Sequence, residues 1–256
     1  MNPIRISIVI PNYNSGKYLA QTLDSIFSQD YKDVEVVVAD GYSTDNSLEV
    51  LAQYQTKHPN LIVHQTTTEG AVDHINYGIA MATGDIVLWL CADDTLAPGC
   101  LRTVAKVFEN PAVQWVYGKV KIIDRDGKET RGLVTRLKEL LQPRYSYQAL
   151  QCASFIAEPS VFMRRRFCRR VGEYDRRLPL VADYDYWLRA GLLCSPVFVD
   201  RHLANWRAHD GSTSVRNTEE QMVEAYRVQR RYSGKWMMPM QWVLCRIAIG
   251  MYKIVR

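Results

Sequence analysis

"GDIVLWLCADDTLAPG", residues 84–99, joins a fully apolar segment to a pair of acidic residues, and this combination decides the fold. The five residues Ile86–Leu90 are all apolar, which is typical of a strand buried on both faces of a sheet. Asp93 and Asp94 follow almost at once. Two carboxylates so close to a core cost free energy unless they are paired or bind a cation. The stretch therefore predicts a buried strand with a ligand site at its end.

Strand-like and helix-like patterns alternate around this stretch through the first half of the chain. The predicted strands are Ile6–Ile10, Val34–Ala39, Leu61–His64, Ile86–Leu90 and Val113–Val120, and the predicted helices are Lys17–Gln29, Ser47–Tyr54, Ala71–Ala82 and Gly99–Phe108. Thr44 is the predicted N-cap of the second helix. This alternation predicts an α/β domain with a mostly parallel sheet flanked by helices.

The pattern becomes mixed after Ile123. Asp126-Gly127 predicts a hairpin turn, and the remaining predicted elements are a strand near Ser160–Met163 and helices over Asp183–Leu193 and Thr218–Tyr232. We expect a ligand-binding half at 1–123, a second half of the same domain at 124–232 that completes the site, and an amphipathic tail at 233–256.

Size and composition are those of one globular domain: 256 residues, 47% apolar and 23% charged, without an internal repeat. The six cysteines form no CxxC pair, which predicts a reducing, cytoplasmic setting. No signal peptide is expected before Ile4, because the first apolar run is short and begins immediately. The net charge of +5 indicates only weakly an anionic substrate or surface.

The ends of the predicted strands carry polar and acidic residues. Ligands of open α/β sheets bind beyond these carboxyl ends. The chain has neither GxGxxG after the first strand nor GxxxxGK, which argues against dinucleotide and P-loop sites. Carboxylates such as Asp93 and Asp94 suit Mg²⁺ or Mn²⁺ bound together with the phosphates of a substrate. A solvated loop or a pair of helix N-cap residues is the structural alternative.

Six segments, in the family's order, resemble glycosyltransferase family 2, whose members have the GT-A nucleotide-sugar fold. They are "SIVIPNYNSGKYLAQTLDSIFSQDY", "VVADGYSTDNSLEVL", "GAVDHINYGIAMATGDIVLWLCADDTLAPG", "EPSVFMRR", "GEYDRRLPLVADYDYWLR" and "WRAHDGSTS". The resemblance implies that Pro11, Tyr13 and Asn14 line the nucleotide pocket. It implies that Asp40 accepts a hydrogen bond from the base, most often a uracil imide, and that Asp73 lies close to the nucleotide.

The resemblance also implies a metal site and a catalytic base. "CADD" matches the acidic metal motif, in which Asp93 is the expected metal ligand and Asp94 the second carboxylate. Cys91 and Ala92 stand where many members have acids or amides. His209 matches a position near the diphosphate, as a metal ligand or a phosphate hydrogen-bond donor.

Asp183 matches the carboxylate that deprotonates the acceptor hydroxyl. Ala182 replaces the acid that usually precedes it. Asp185 is expected to point elsewhere, because residues two apart do not share a helix face. The alternative for Asp183 is a helix N-cap.

The implied function is a Mn²⁺- or Mg²⁺-dependent inverting glycosyltransferase. Its donor would be a nucleotide-diphospho sugar with UDP as the expected nucleotide, and its acceptor a glycan or lipid-linked hydroxyl in bacterial surface polysaccharide synthesis. A degenerate GT-A module that binds nucleotide or glycan without turnover is the alternative. A sugar nucleotidylyltransferase would need a loop rich in glycine and arginine after the first strand, and "PNYNSGKY" does not supply one.

Two basic or apolar segments are candidate contact surfaces. Arg164–Arg170 contains five arginines, which form either a solvated face or a contact with a phospholipid or lipid-diphosphate at the inner face of the membrane. The tail lies in a membrane interface, docks on the body or forms a homodimer contact. Nucleic acid is not an expected partner, since no aromatic residues are interleaved with the basic run.

Overall fold

The computed structural model describes residues 4–67, 70–130 and 145–234. Its strands are β1 (Ile6–Asn12), β2 (Val34–Asp40), β3 (Leu61–Gln65), β4 (Ile86–Trp89), β5 (Thr95–Leu96), β6 (Trp115–Ile123), β7 (Phe162–Arg164) and β8 (Val197–Arg207). Its helices are α1 (Gly16–Phe27), α2 (Ser47–Gln55), α3 (Ala71–Met81), α4 (Cys100–Phe108), α5 (Tyr147–Cys152), α6 (Arg165–Val171), α7 (Ala182–Leu193), α8 (Thr213–Arg216) and α9 (Thr218–Tyr232). A 3₁₀ turn spans Glu158–Ser160.

All eight strands form one sheet in the order β3-β2-β1-β4-β7-β6-β8-β5. Four of the seven strand pairings among the described residues are parallel, and the three that involve β7 or β5 are antiparallel. The prediction of an α/β domain with a mixed, mostly parallel sheet is therefore confirmed. Strands β7 and β8 come from the second half of the chain and extend the same sheet.

The core lies on both faces of this sheet. All seven residues of β2 and six of the seven residues of β1 are buried. This burial explains why the two sequences show no apolar–polar alternation. One core cluster contains Leu19 and Leu23 of α1, and another contains Trp115 and Trp187. Burial on both faces is thus the physical source of the apolar runs that predicted the strands.

Of three local predictions, two need correction or adjustment and one agrees with the structure. Thr44 is not a helix cap, because α2 begins at Ser47 after Asn46, and the Thr44 backbone N–H donates instead to Asn14 Oδ1 at 2.7 Å. The predicted strand near Ser160–Met163 is a 3₁₀ turn followed by β7. The hairpin turn at Asp126-Gly127 is present, with Gly127 at φ +82° and an Asp124 N–H···O=C Lys128 bond of 2.8 Å.

None of the helices within the described ranges is long and apolar enough to cross a membrane. Nearly all of the predicted amphipathic tail, residues 235–256, lies outside the described residues. Its membrane, docking and dimer roles therefore stay predictions.

A buried carboxylate, Glu35, ties β1, β2 and the turn before β4 together. It is 1% exposed and accepts hydrogen bonds from the Ser7 hydroxyl and from the N–H and hydroxyl of Thr83, at 2.8 and 2.7 Å. Burial alone would raise the pKa of Glu35. Hydrogen bonds from Ser7 and Thr83 and the nearby Arg5 charge outweigh burial and lower this pKa below its usual value of 4.5.

Glu35→Gln is expected to lower the free energy of unfolding at pH 7 by about 1–3 kcal/mol, because an amide places a donor against groups that already donate. The pKa of Glu35 is lower in the folded protein than in the unfolded chain. The carboxylate therefore stabilises the fold fully at pH values above its unfolded-state pKa, and this stabilisation is lost as the pH falls through its folded-state pKa. Urea unfolding at pH 7 and below pH 4 measures both effects, with exposed Glu109→Gln as control. A wild-type advantage that grows on acidification would contradict this role.

Candidate functional site

The candidate site lies where the order of the strands in the sheet reverses, between β1 and β4. From β1 the chain proceeds outward through β2 and β3, then returns to place β4 on the other side of β1. Ligands of open α/β sheets bind at such a switch point, beyond the carboxyl ends of the strands. The segments after β1, β2 and β4 meet at this edge, so the strand-end residues singled out in the sequence do lie at one edge of the sheet.

Asp40, at the end of β2, is fully buried and held by its neighbours. Its Oδ1 accepts from Asn12 Nδ2 at 2.7 Å and from the Ser43 hydroxyl at 2.6 Å, and its Oδ2 accepts from the Ser43 N–H at 3.0 Å. A carboxylate offers about four acceptor positions, so one remains for a further donor. The role of Asp40 toward a base stays a prediction.

Two exposed tyrosines flank Asp40 on the loops after β1 and β2. Tyr13 is 61% exposed and Tyr42 is 51% exposed. A β-carbon at Gly41 would lie 2.6 Å from the His74 ring and 3.3 Å from the Tyr13 ring, so only glycine fits between them. Tyr42 has φ +57°, a left-handed conformation that is costly for a residue with a side chain.

The other residues predicted to contact the nucleotide make contacts within the protein. Asn14 Oδ1 accepts from the backbone N–H of Thr44, which links the loops after β1 and β2. Asp73, in the first turn of α3, pairs with Arg176 Nε at 2.7 Å. Pro11 pairs only with β2, since the β1–β4 ladder ends at Val9. Contact of these residues with a nucleotide stays a prediction.

An acidic centre formed by Asp93, Asp94, Glu158 and Asp183 lies beyond the end of β4. Asp93 and the neighbouring His209 form its outer part. Asp93 Oδ2 lies 2.9 Å from His209 Nε2, and His209 Nδ1 accepts the Gly211 N–H at 3.0 Å. That second bond favours the tautomer with its proton on Nε2, in which His209 donates to Asp93. His209 would bind a metal through Nε2 only with the proton moved to Nδ1, which breaks the Gly211 bond.

Arg207 positions both aspartates. It is 1% exposed, its backbone N–H donates to Asp94 Oδ1 at 2.7 Å, and its Nε donates to the Asp93 carbonyl at 2.8 Å. Its guanidinium also lies 4.8 Å from the centre of the Tyr18 ring, which in turn packs against the His209 ring. Arg207 is thus a positioning residue that clamps the turn after β4 onto the end of β8.

Asp94 faces inward, toward Cys91 and Glu158. Ligand atoms of these three residues all lie within 4.8 Å of one another. Burial first, and then the charge of Asp93, raise the pKa of Asp94 well above its usual range. Burial and the charges of Asp94, Asp183 and Asp93 likewise raise the pKa of Glu158. Such like charges in one place are stable only with a proton or a cation between them.

Both structural alternatives for the Asp93-Asp94 pair are excluded. Asp94 is only 1% exposed, so the pair is not a solvated loop. The N-cap residue of α4 is Gly99, so neither aspartate caps that helix. Binding of a cation by this pair stays a prediction.

Asp183 and Asp185 have separate roles. Helix α7 begins at Ala182 after Val181, so Asp183 lies in its first turn and is not the N-cap. Asp183 is close enough to Glu158 and Cys91 for its charge to raise their pKa values, which places it beside the acidic centre. Asp185 instead accepts from Arg189 Nε at 2.8 Å and from the Tyr232 hydroxyl at 2.7 Å. Asp185 thus anchors α7 to α9.

The basic segment Arg164–Arg170 is in part a structural clamp. Arg164 donates to the carbonyls of Phe108 and Val113, both at 2.7 Å, and Arg165 Nε donates to the Gly84 carbonyl at 2.8 Å. Arg166, Arg169 and Arg170 are exposed on α6. A contact with an anionic surface stays a prediction that rests mainly on these three arginines.

Sequence reasoning did not assign two residues of this site. Glu158 lies in the segment "EPSVFMRR", and only the 3₁₀ turn before β7 carries it to the turn after β4. Tyr42 gave no signal in the sequence, because its left-handed backbone is visible only in the structure.

Two solved structures share this fold. A mannosyltransferase from Pyrobaculum calidifontis, in complex with GDP-Man and Mn²⁺, is 18% identical with a TM-score of 0.74, covering 99% of this chain and 74% of that one. Residues 1–349 of TarS from S. aureus, in complex with UDP-GlcNAc, are 21% identical with a TM-score of 0.69, covering 88% and 66%. At these identities the likeness concerns the fold, which is the predicted GT-A type.

Two curated relatives have a higher sequence identity to the chain. A PGL/p-HBAD biosynthesis glycosyltransferase of Mycobacterium tuberculosis is 34% identical over 203 residues, covering 77% of this chain and 73% of the relative. An uncharacterized glycosyltransferase of Nostoc sp. is 37% identical over 127 residues, 49% of this chain, and the match covers 39% of that relative's length. The model of the family described as glycosyl transferase family 2 matches residues 7–172. The chain belongs to glycosyl transferase family 2.

Proposed function

We propose that this protein is a metal-dependent inverting glycosyltransferase that transfers a sugar from a nucleotide-diphospho sugar, with UDP as the nucleotide, to a hydroxyl group. The observation that carries the proposal is the acidic centre of Asp93, Asp94, Glu158 and Asp183 beside His209 at the switch point of the sheet. Several carboxylates close together, more than the single Arg207 charge beside them can balance, are the chemistry expected where a divalent cation and a diphosphate bind.

The metal fits the outer part of this centre. Asp93 would hold Mn²⁺ or Mg²⁺, with His209 at its side as donor to a phosphate or, after the proton moves to Nδ1, as a second ligand. A bound divalent cation stabilises the charge of a leaving diphosphate. Arg207 keeps Asp93 in place through its carbonyl, and Asp94 through its Oδ1. The relative bound to GDP-Man and Mn²⁺ supports the pairing of a nucleotide sugar with a metal on this fold.

Asp183 would act as the general base. An inverting transfer needs one carboxylate that takes the proton of the acceptor hydroxyl as that oxygen attacks the anomeric carbon. Asp183 lies in the first turn of α7, beside the acidic centre. Asp185 is already bound to the Tyr232 hydroxyl of α9 and is therefore the weaker candidate for the base. We propose a glycan or lipid-linked acceptor in bacterial surface polysaccharide synthesis, at the cytoplasmic face of the membrane. The mycobacterial relative, by its name, acts in PGL/p-HBAD biosynthesis.

Calorimetric titration of UDP and GDP, each with and without Mn²⁺, tests the donor site. The expected result is tight binding of UDP that depends on Mn²⁺, and equal binding with and without the metal would overturn the metal assignment. A panel of nucleotide sugars, monitored for released nucleotide, then separates an enzyme from a binding module. Mn²⁺-dependent binding with no hydrolysis or transfer of any donor would favour the module, which the Cys91, Ala92 and Ala182 positions suggest.

We further propose that Tyr42 stacks on the nucleotide base, because its left-handed backbone holds an exposed ring beside Asp40. Tyr42→Gly is expected to raise the free energy of unfolding by about 1 kcal/mol through relief of that conformation. The same change should weaken UDP binding about tenfold through loss of stacking. Thermal unfolding and calorimetry measure the two effects, which have opposite signs. Tyr42→Phe is the control and should change neither, and unchanged UDP affinity in Tyr42→Gly would refute the stacking role.

A further inference from the structure

The inner part of the acidic centre has a ligand set of its own. Cys91 follows β4, Asp94 ends the tight turn closed by the Asp94 N–H···O=C Cys91 bond of 3.1 Å, and Glu158 begins the 3₁₀ turn before β7. One sulfur and two carboxylate groups from these residues lie within 4.8 Å of one another. They are different side chains from the Asp93–His209 pair, which faces the more exposed side of the centre.

Asp94 supplies an independent sign that this inner group binds something. The residue is 1% exposed, and its Oδ1 is satisfied by the Arg207 N–H. Its Oδ2 is inaccessible to solvent and has no hydrogen-bond partner among the described residues, and the same holds for Glu158 Oε1. A buried carboxylate oxygen without a partner is strongly unfavourable. A cation between these oxygens would satisfy both.

The donor atoms decide which cation fits. Mg²⁺ and Ca²⁺ prefer sites made only of oxygen, whereas a thiolate selects softer metals such as Zn²⁺. Tetrahedral Zn²⁺ with one sulfur and two oxygens holds its ligand atoms about 3.5 Å apart. The three side chains would therefore have to draw together by roughly 1 Å on binding, which rotation of Glu158 and Cys91 can supply. Binding releases the thiol proton of Cys91, because only the thiolate is a ligand.

We propose that Cys91, Asp94 and Glu158 form a binding site for one thiophilic divalent cation of the Zn²⁺ class, separate from the Asp93–His209 metal site. The bound cation cross-links the turn after β4 to the 3₁₀ turn before β7, two segments that are 64 positions apart between Asp94 and Glu158. The site lies within the same acidic centre as the proposed donor site, but that proposal assigns the donor metal to Asp93 and His209, so cation binding by Cys91, Asp94 and Glu158 can be measured without sugar transfer.

Titration of the full chain with Co²⁺, read by absorption, tests the site directly, because a cobalt–thiolate bond gives a sulfur-to-metal charge-transfer band in the near ultraviolet. The expected result is a band that saturates at one Co²⁺ per chain and is displaced by Zn²⁺. Cys91→Ser should abolish the band, and the near-isosteric Glu158→Gln should weaken Co²⁺ binding at least tenfold. The double variant Cys152→Ser/Cys194→Ser removes two partly exposed thiols elsewhere and should retain the band.

His209→Ala separates this proposal from the proposed function. This variant should keep the cobalt band while Mn²⁺-dependent binding of UDP falls. A folded wild-type protein without a band at millimolar Co²⁺ would overturn the site, and the two carboxyl groups would then share a proton instead. A band that survives in Cys91→Ser would overturn it as well. As a second measurement, Zn²⁺ should raise the melting temperature of the wild type and leave that of Cys91→Ser unchanged.

Discussion

Replacing Asp183 with asparagine is expected to lower sugar transfer by about two orders of magnitude or more while donor affinity stays nearly constant. Asparagine keeps the shape of the side chain but cannot take a proton from the acceptor hydroxyl. Donor binding should persist, because the proposed contacts of the nucleotide and diphosphate are made by other residues. Turnover per folded molecule and calorimetric UDP affinity are the two measurements.

Asp185→Asn is the matched control on the same helix. Asp185 accepts from Arg189 and Tyr232, so its change should lower the melting temperature and leave turnover per folded molecule close to the wild type. The reverse pattern, with stability lost in Asp183→Asn and activity lost in Asp185→Asn, would exchange the two assignments. Unchanged transfer in Asp183→Asn would exclude Asp183 as the base.

Asp93→Asn is expected to have the second large effect, this time on binding. Loss of a residue that only supports a metal ligand costs 10–100-fold, so loss of the ligand itself should weaken Mn²⁺-dependent UDP binding about 100-fold or more. Binding of UDP in the absence of metal should change little, because an amide still accepts from His209. Calorimetry with and without Mn²⁺ isolates the metal-dependent part of the affinity.

Asp210→Asn serves as the control for a nearby surface charge. Asp210 is exposed one residue from His209, so its change alters the net charge equally without removing a proposed ligand. Both variants weakening UDP binding to the same extent would indicate a general effect of charge. A metal-dependent affinity that survives Asp93→Asn would transfer the metal assignment away from Asp93.

Local patterns predicted most of the first half of the fold and the helix that ends the described residues. The strand Val34–Ala39 is observed as Val34–Asp40, and the helix predicted over Thr218–Tyr232 has those bounds. Burial on both faces of a sheet, or on one face of a helix, leaves a periodic signal within a few turns of chain. The Thr44 prediction failed because the Thr44 N–H is held by Asn14, 30 residues away, and a local capping rule does not contain that contact.

The candidate site was likewise predictable only in part from the sequence. The acids after each strand were visible in the sequence, because parallel strands bring their carboxyl ends to one edge. Which way each acid faces was not visible. Asp93 and Asp94 are neighbours in the chain, yet one meets His209 and the other is buried against Arg207, Cys91 and Glu158.

The sequence by itself determined the alternation of strands and helices, the family and the positions of the acids, because each depends on residue types within short windows. Only the tertiary structure decided that Glu158 joins the acidic centre and that Arg207, 113 residues from Asp94, clamps it. Those contacts depend on β7 pairing with β4 and on β8 pairing with β6 and β5. Strand order and register between distant segments are set by packing of the whole sheet, and no local pattern of residues encodes them.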